Sequence, residues 1–216
     1  MVKLRCQTLA EKFAIPAFVY FFFLLYPPER VGNQRSQAAG AAGGCILILP
    51  EMLEKAGGFE SIRGEIIDDC GLAGRVKKAG GRLWLGVSRE TRSIRGYATF
   101  SKLRDMISRS AFNQLRHSWL MLIVSIVGMV LTFVAPLALV WAKDRTAGWI
   151  AATACIAMFA SYVPVLRLHR VNPLSALTLP FAAMFYTYAT VHSALNYWRG
   201  KGGEWKGRAQ DVPSSW

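Results

Sequence analysis

Ionisable side chains are scarce in this sequence, and where they are missing says most about it. Only 18% of the 216 residues are Asp, Glu, Lys or Arg, against about 25% in a typical soluble domain. The shortage is concentrated after Ser118. Three runs there, residues 119–141, 148–166 and 174–198, contain no Asp, Glu, Lys or Arg at all. Ion and proton pathways through membranes are marked by buried ionisable groups, so a channel or transporter is disfavoured. His192, near the end of the third run, is the one candidate, and an interfacial or hydrogen-bonded histidine is its plainer role. Cysteine is also sparse. Cys6, Cys45, Cys70 and Cys155 show no CxxC spacing and no adjacent histidine cluster. That leaves isolated reduced thiols, with no zinc site and no disulfide framework.

What is present is apolar and basic. Hydrophobic residues make up 53% and aromatics 12%, the mean hydropathy is +0.26, and the net charge is +13. So basic a chain raises the question of nucleic acid. Here, however, Lys and Arg precede or flank apolar runs, where each gains about 1 kcal/mol from anionic headgroups. No nucleic-acid partner is expected; membrane lipids are. At about 1.5 Å per residue, residues 119–141 cover a hydrocarbon core of about 30 Å. Residues 148–166 and 174–198 read as a second and third transmembrane helix, the last interrupted by Pro180 and closed by Tyr197, Trp198 and Arg199. Pro136 and Pro164 are tolerated as kinks in such a setting.

The positive-inside rule places the basic N-terminal half in the cytoplasm, at an inner or plasma membrane crossed several times. The 143–145 turn is then outside and the 167–170 turn inside. Three crossings leave the basic tail, residues 200–216 with Arg199 before it, on the outer face. Either the tail is an exception or one run is re-entrant. Residues 13–26 are too short for a crossing and suit an interfacial or core-facing helix. A signal peptide is disfavoured, because Pro27-Pro28-Glu29-Arg30 follows in place of a small-residue cleavage site.

Residues 1–118 form the globular part. Within residues 40–95 the pattern is that of part of an α/β domain. Residues 45–49 and 82–87 read as strands, and residues 50–56 as a helix ended by Gly57-Gly58. Residues 68–79 read as a helix with Leu72, Val76 and Ala79 on one face, stopped by Gly80-Gly81. At its start stand paired carboxylates, Asp68 and Asp69. Adjacent acids at a helix N-terminus can act as a base or bind a cation; an ordinary acidic N-cap is the alternative.

Asp68-Asp69-x-x-Leu72-x-x-Arg75, followed by Gly80-Gly81-Arg82, resembles the acidic motif of inverting family 2 glycosyltransferases with the GT-A fold. Ala42-Gly43-Gly44-Cys45 and Ala56-Gly57-Gly58-Phe59 are similar to that family's acceptor-site stretch and its glycine turn. Arg109, and Gln114-Leu115-Arg116, fall where those enzymes carry a Q/RxxRW motif, although no tryptophan directly follows Arg109 or Arg116. The tail, from Trp198 through Trp205-Lys206-Gly207-Arg208, is similar to the hopene-associated glycosyltransferases.

The resemblance implies a partial GT-A-like domain followed by about three transmembrane helices. It implies hexosyl transfer, with inversion, from a nucleotide sugar to a hopanoid or glycolipid-like lipid acceptor. Asp69 takes the general-base position and Asp68 the acidic position before it. Arg109, or Arg116 in another register, with Gln114, steadies the diphosphate leaving group. Gly43, Gly44 and Cys45 line the acceptor. Family 2 enzymes begin with a nucleotide-binding half ending in a DxD-type metal site. Residues 1–40 hold only Glu11 and Glu29 as acids, too little chain and charge for such a half. The expectation is therefore the C-terminal part of an enzyme, weak or inactive alone and holding no cofactor itself. Mg²⁺ or Mn²⁺ and the nucleotide sugar belong to a separate N-terminal half. A non-catalytic membrane scaffold is the alternative.

Overall fold

The structure, a computed structural model, describes residues 1–88 and 90–203. Its helices are α1 (Leu9–Leu25), α2 (Pro28–Gly32), α3 (Pro50–Lys55), α4 (Asp68–Lys78), α5 (Phe100–Ser108), α6 (Ala111–Gln114), α7 (Trp119–Phe133), α8 (Ala135–Leu139), α9 (Arg145–Leu168) and α10 (Leu179–Trp198). Single 3-10 turns occupy Phe59–Ile62 and Pro173–Thr178. The chain divides into two units. One comprises residues 1–5 and 18–96, the other residues 6–17 and 97–216.

In the first unit the expected strands do not form. Among the described residues the only strand-like pairing is one isolated parallel bridge, Lys3 to Arg92. The α/β expectation for residues 45–49 and 82–87 is corrected accordingly. Ile48 and Leu83 do turn inward, packing on Ala56, Leu72 and Val76 with Met52, Leu53 and Ile62. Their neighbours Leu47 and Trp84 are 99% and 84% exposed. Both segments thus have the alternation of a strand without a neighbour to pair with, and an unpaired strand has no hydrogen-bond ladder to hold it. Helix α4 forms as expected, with one difference. Leu72, Ala73 and Val76 are buried, whereas Ala79 caps the helix and is exposed.

The second unit is built around α10. Helix α1 enters it through a capping box: Glu11 N–H donates to Thr8 Oγ1 at 3.2 Å, and Thr8 N–H to Glu11 Oε2 at 3.0 Å. Glu11 is fully buried, and its carboxylate also accepts from Gln7 N–H and Tyr97 N–H, each at 2.8 Å. Phe13, Phe100 and Phe185 meet edge to face, and the Tyr186 hydroxyl donates to Ala14 O at 2.9 Å.

Three stretches are long and apolar enough to cross a membrane: Trp119–Leu139, Arg145–Leu168 and Pro173–Trp198. In the first, only 11% of its most apolar window is buried by protein, an outer surface suited to hydrocarbon rather than water. It is two helices, α7 and α8, divided at Val134, because Pro136 cannot donate within an unbroken helix. Helix α9 is longer than expected, since Asp144 Oδ1 accepts from Ala147 N–H at 2.7 Å and caps it. Pro180 does not interrupt the third stretch. It lies in the first turn of α10, where a missing N–H costs nothing. The start of α7 packs on the end of α10: Leu122 and Phe112 contact Ala194, with Ile126, Val191 and Tyr197 around them.

Candidate functional site

The acidic pair opens α4. Asp68 is exposed and Asp69 half-buried. Asp68 Oδ1 accepts from Asp69 N–H at 3.0 Å, and Asp69 Oδ1 accepts from Cys70 N–H at 2.7 Å, so both serve the bare N–H groups of the helix start. The other Asp69 oxygen reaches outward: Oδ2 accepts from Gly43 N–H at 2.7 Å. A Cβ on Gly43 would lie 3.3 Å from that oxygen, so a larger residue would crowd the contact. Gly43, Gly44 and Cys45 are exposed. The structure thus brings the glycine-bearing stretch to the acidic pair, both within the first unit.

The loop before Gly43 lies along α4 and is fastened at both ends. At the far end Lys77 Nζ donates to three carbonyls, those of Arg30 (3.3 Å), Val31 (2.9 Å) and Ala38 (2.5 Å). At the near end Cys70 Sγ donates to Ala41 O at 3.5 Å. Gly40 lies against the Tyr26 ring, which a Cβ there would meet at 2.6 Å. Burial pushes the Cys70 thiol up to about 11, with the Asp69 carboxylate adding to the rise and the bond to Ala41 opposing it. Cys70 is therefore a neutral thiol at physiological pH, and no nucleophile. Arg75 of the motif pairs with Glu65 at 2.6 Å across Gly71, whose missing side chain leaves room for the crossing. No family model, curated protein or solved structure matches this chain.

Arg109, Gln114 and Arg116 belong to the second unit. Arg109 caps α5 and is half-buried, Gln114 ends α6, and Arg116 is exposed. Arg116 and His117 both have left-handed backbone, φ 53° and 55°, a conformation costing a side-chain-bearing residue about 1–2 kcal/mol. The His117 ring stacks on Tyr197 at 4.2 Å, and Phe112 meets His117, Tyr197 and Trp198 edge to face. These contacts hold the strained turn. Residues 205–208 of the tail lie outside the described residues.

Sequence reasoning missed Lys77, Glu65 and Glu11. Lys77 looks like any helix-end lysine and Glu65 like any loop acid. Glu11 did carry a signal, since Thr8-x-x-Glu11 is a capping-box spacing.

Proposed function

We propose that this chain supplies the acceptor side of a membrane-bound, inverting glycosyl transfer from a nucleotide sugar to a lipid hydroxyl. The observation that carries the reading is the 2.7 Å contact between Gly43 N–H and Asp69 Oδ2. It makes neighbours of two segments, 26 residues apart, that the family resemblance assigns to acceptor binding and to the base. The three membrane-capable stretches in the same chain supply the anchor such a lipid substrate requires.

In this reading Asp69 takes the proton of the lipid hydroxyl as its oxygen attacks the anomeric carbon. The bond from that carbon to the nucleotide diphosphate breaks on the opposite face, and the diphosphate leaves. Asp68 holds the preceding acidic position. Gly43 and Gly44 permit close approach of the acceptor beside exposed Cys45. The resemblance gives Arg109, or Arg116 in the alternative register, with Gln114, the role of offsetting charge on the leaving group; all three belong to the second unit. His117 stands directly after Arg116, where the family motif has tryptophan, and its ring is stacked on Tyr197.

The residues present do not fit the family's Mg²⁺ or Mn²⁺. Among the described residues no three His, Cys, Asp or Glu side chains are grouped to hold an ion. The nucleotide sugar and its metal are assigned to a donor-binding GT-A half, whose strands would pair with residues 45–49 and 82–87.

A non-catalytic membrane scaffold is the second reading, and one observation favours it. Both Asp69 oxygens accept main-chain N–H groups, which suffices for a structural clasp. Membranes from cells with and without the gene, given labelled nucleotide sugars, separate the two. Transfer predicts a chain-dependent labelled lipid, lost roughly a hundredfold or more in Asp69→Asn, a variant that can still accept from Gly43. Unchanged labelling in that variant removes Asp69 as the base. No chain-dependent label at all leaves the scaffold reading standing.

A further inference from the structure

In the first unit, residues 1–5 run alongside residues 86–96. Lys3 N–H donates to Thr91 O at 3.0 Å and Ser93 N–H to Lys3 O at 2.9 Å, which makes the parallel bridge between Lys3 and Arg92. Ser88 N–H donates to Met1 O at 2.9 Å, and the Met1 nitrogen to Gly86 O at 2.8 Å. Bridged residues share a face, and successive residues alternate between faces. Lys3 and Arg92 therefore stand on one side of this ribbon, with Arg5 and Ile94, each two residues on, following them. The other side turns inward. Val2 lies against Gly44, where a Cβ would meet it at 3.0 Å, and Val2, Leu4 and Ser93 are half-buried. Arg5, Arg92 and Ile94 are exposed, Ile94 by 97%.

The ribbon is about 13 Å long from Met1 to Arg5, with an exposed apolar side chain at each end. At the Met1 end the Trp84 ring lies against Gly86, where a Cβ would stand 2.6 Å from it. Leu83 and Leu85 on either side of Trp84 turn into the protein, so the indole is held outward, and Arg82 is exposed two residues before it. At the other end stand Ile94 and Arg5, whose guanidinium lies 2.8 Å from the place a Cβ on Gly96 would take. Residues 1–5 and 82–96 together carry six Lys and Arg against the single acid Glu90. Tryptophan settles at the level of lipid headgroups, and each cation beside an anionic leaflet strengthens binding about fivefold. We propose that this ribbon is the first unit's contact with the membrane, seating Trp84 and Ile94 among the headgroups of an anionic phospholipid leaflet. A nucleic acid would answer the charges and leave Ile94 in water; an apolar protein surface would cover Ile94 and leave the charges unanswered. The membrane-capable stretches of the same chain keep a leaflet within reach. Strand pairing along residues 82–87 would use main-chain edges and leave the face of Trp84 open. The contact stands apart from the glycosyl-transfer reading, because none of the residues it presents is assigned there to base, acceptor or leaving group.

The test is photocrosslinking of the full chain, with benzoylphenylalanine in place of Ile94, in vesicles of phosphatidylglycerol and phosphatidylcholine. A lipid adduct on the peptide containing position 94 is expected to rise with the phosphatidylglycerol content and to be nearly absent in phosphatidylcholine alone. It should fall at about 1 M salt, where the screening length shrinks to about 3 Å. At the composition giving half the maximal adduct, Arg92→Gln and Arg82→Gln are each expected to lower the yield about threefold. Lys55→Gln, exposed on α3, should leave it unchanged, and the photoreactive residue in place of exposed Glu54 should give far less adduct. Equal adduct in the two lipids, equal loss in Arg92→Gln and Lys55→Gln, equal adduct from positions 54 and 94, or crosslinking of position 94 to a second copy of the chain instead of lipid would each overturn the proposal.

Discussion

Burial of the Cys70 thiol beside Asp69 couples a chemical property to the geometry of the glycine loop. The folded chain favours the neutral thiol, with a pKa near 11 against 9.0 for a free one. Its contribution to stability is complete below pH 9 and lost as pH rises from 9 to 11. Alkylation with iodoacetamide, mapped by peptide mass, should modify exposed Cys45 readily at pH 8 while Cys70 lags until pH approaches 11. Equal rates at pH 8 would mean that the loop does not lie over α4 as described. Asp69, next along the helix, is where structural and catalytic readings compete, so its test must keep the clasp while removing the base. Asp69→Asn keeps one acceptor oxygen, enough for the Gly43 half of the clasp but not for the Cys70 N–H as well, whereas Asp69→Ala would release both and confuse the two effects.

At the scale of elements, helices were legible and strands were not, for one physical reason. A helix closes its hydrogen bonds within itself, so local signals suffice to announce it. The Asp68-Asp69 start, the Gly80-Gly81 stop and the uncharged runs after Ser118 are such signals. A strand depends on a partner elsewhere, and residues 45–49 and 82–87 have the right alternation with none among the described residues. The same distance rule hid the fastenings of the site. Lys77 finds its carbonyls 39 to 47 residues away, and Glu11 meets Tyr97 across 86. Of the site, the acidic pair and its glycine partner were visible as motifs, whereas the loop's attachment to α4 was not. The capping box gives a direct check. Thr8→Ala should destabilise the second unit by about 1 kcal/mol, and Glu11→Ala by more, because it leaves three partly buried N–H donors without their acceptor. Thermal melts in micelles, followed by circular dichroism, measure both; a smaller loss for Glu11→Ala than for Thr8→Ala would contradict this account.

For the molecule as a whole, the stack of His117 on Tyr197 bears on the parity of the membrane path. Three successive crossings would leave residues 118 and 198 on opposite faces, with about 30 Å of hydrocarbon between them. Rings 4.2 Å apart do not permit that separation. We therefore propose that the chain crosses an even number of times between those points, out along α7 and back along α10. Helix α9, although long and apolar enough to cross, then begins and ends on the same face. That path also returns Arg199 and Lys201 to the side of the basic N-terminal half, removing the conflict with the positive-inside rule. Single-cysteine variants at Ser118, Lys143 and Lys201, in a chain whose native cysteines are replaced by serine, can be probed with a membrane-impermeant maleimide. Ser118 and Lys201 should label from one face and Lys143 from the other. Labelling of Ser118 and Lys201 from opposite faces would restore the odd count. On this proposal a pair of aromatic rings fixes the face of the membrane on which Lys201 stands.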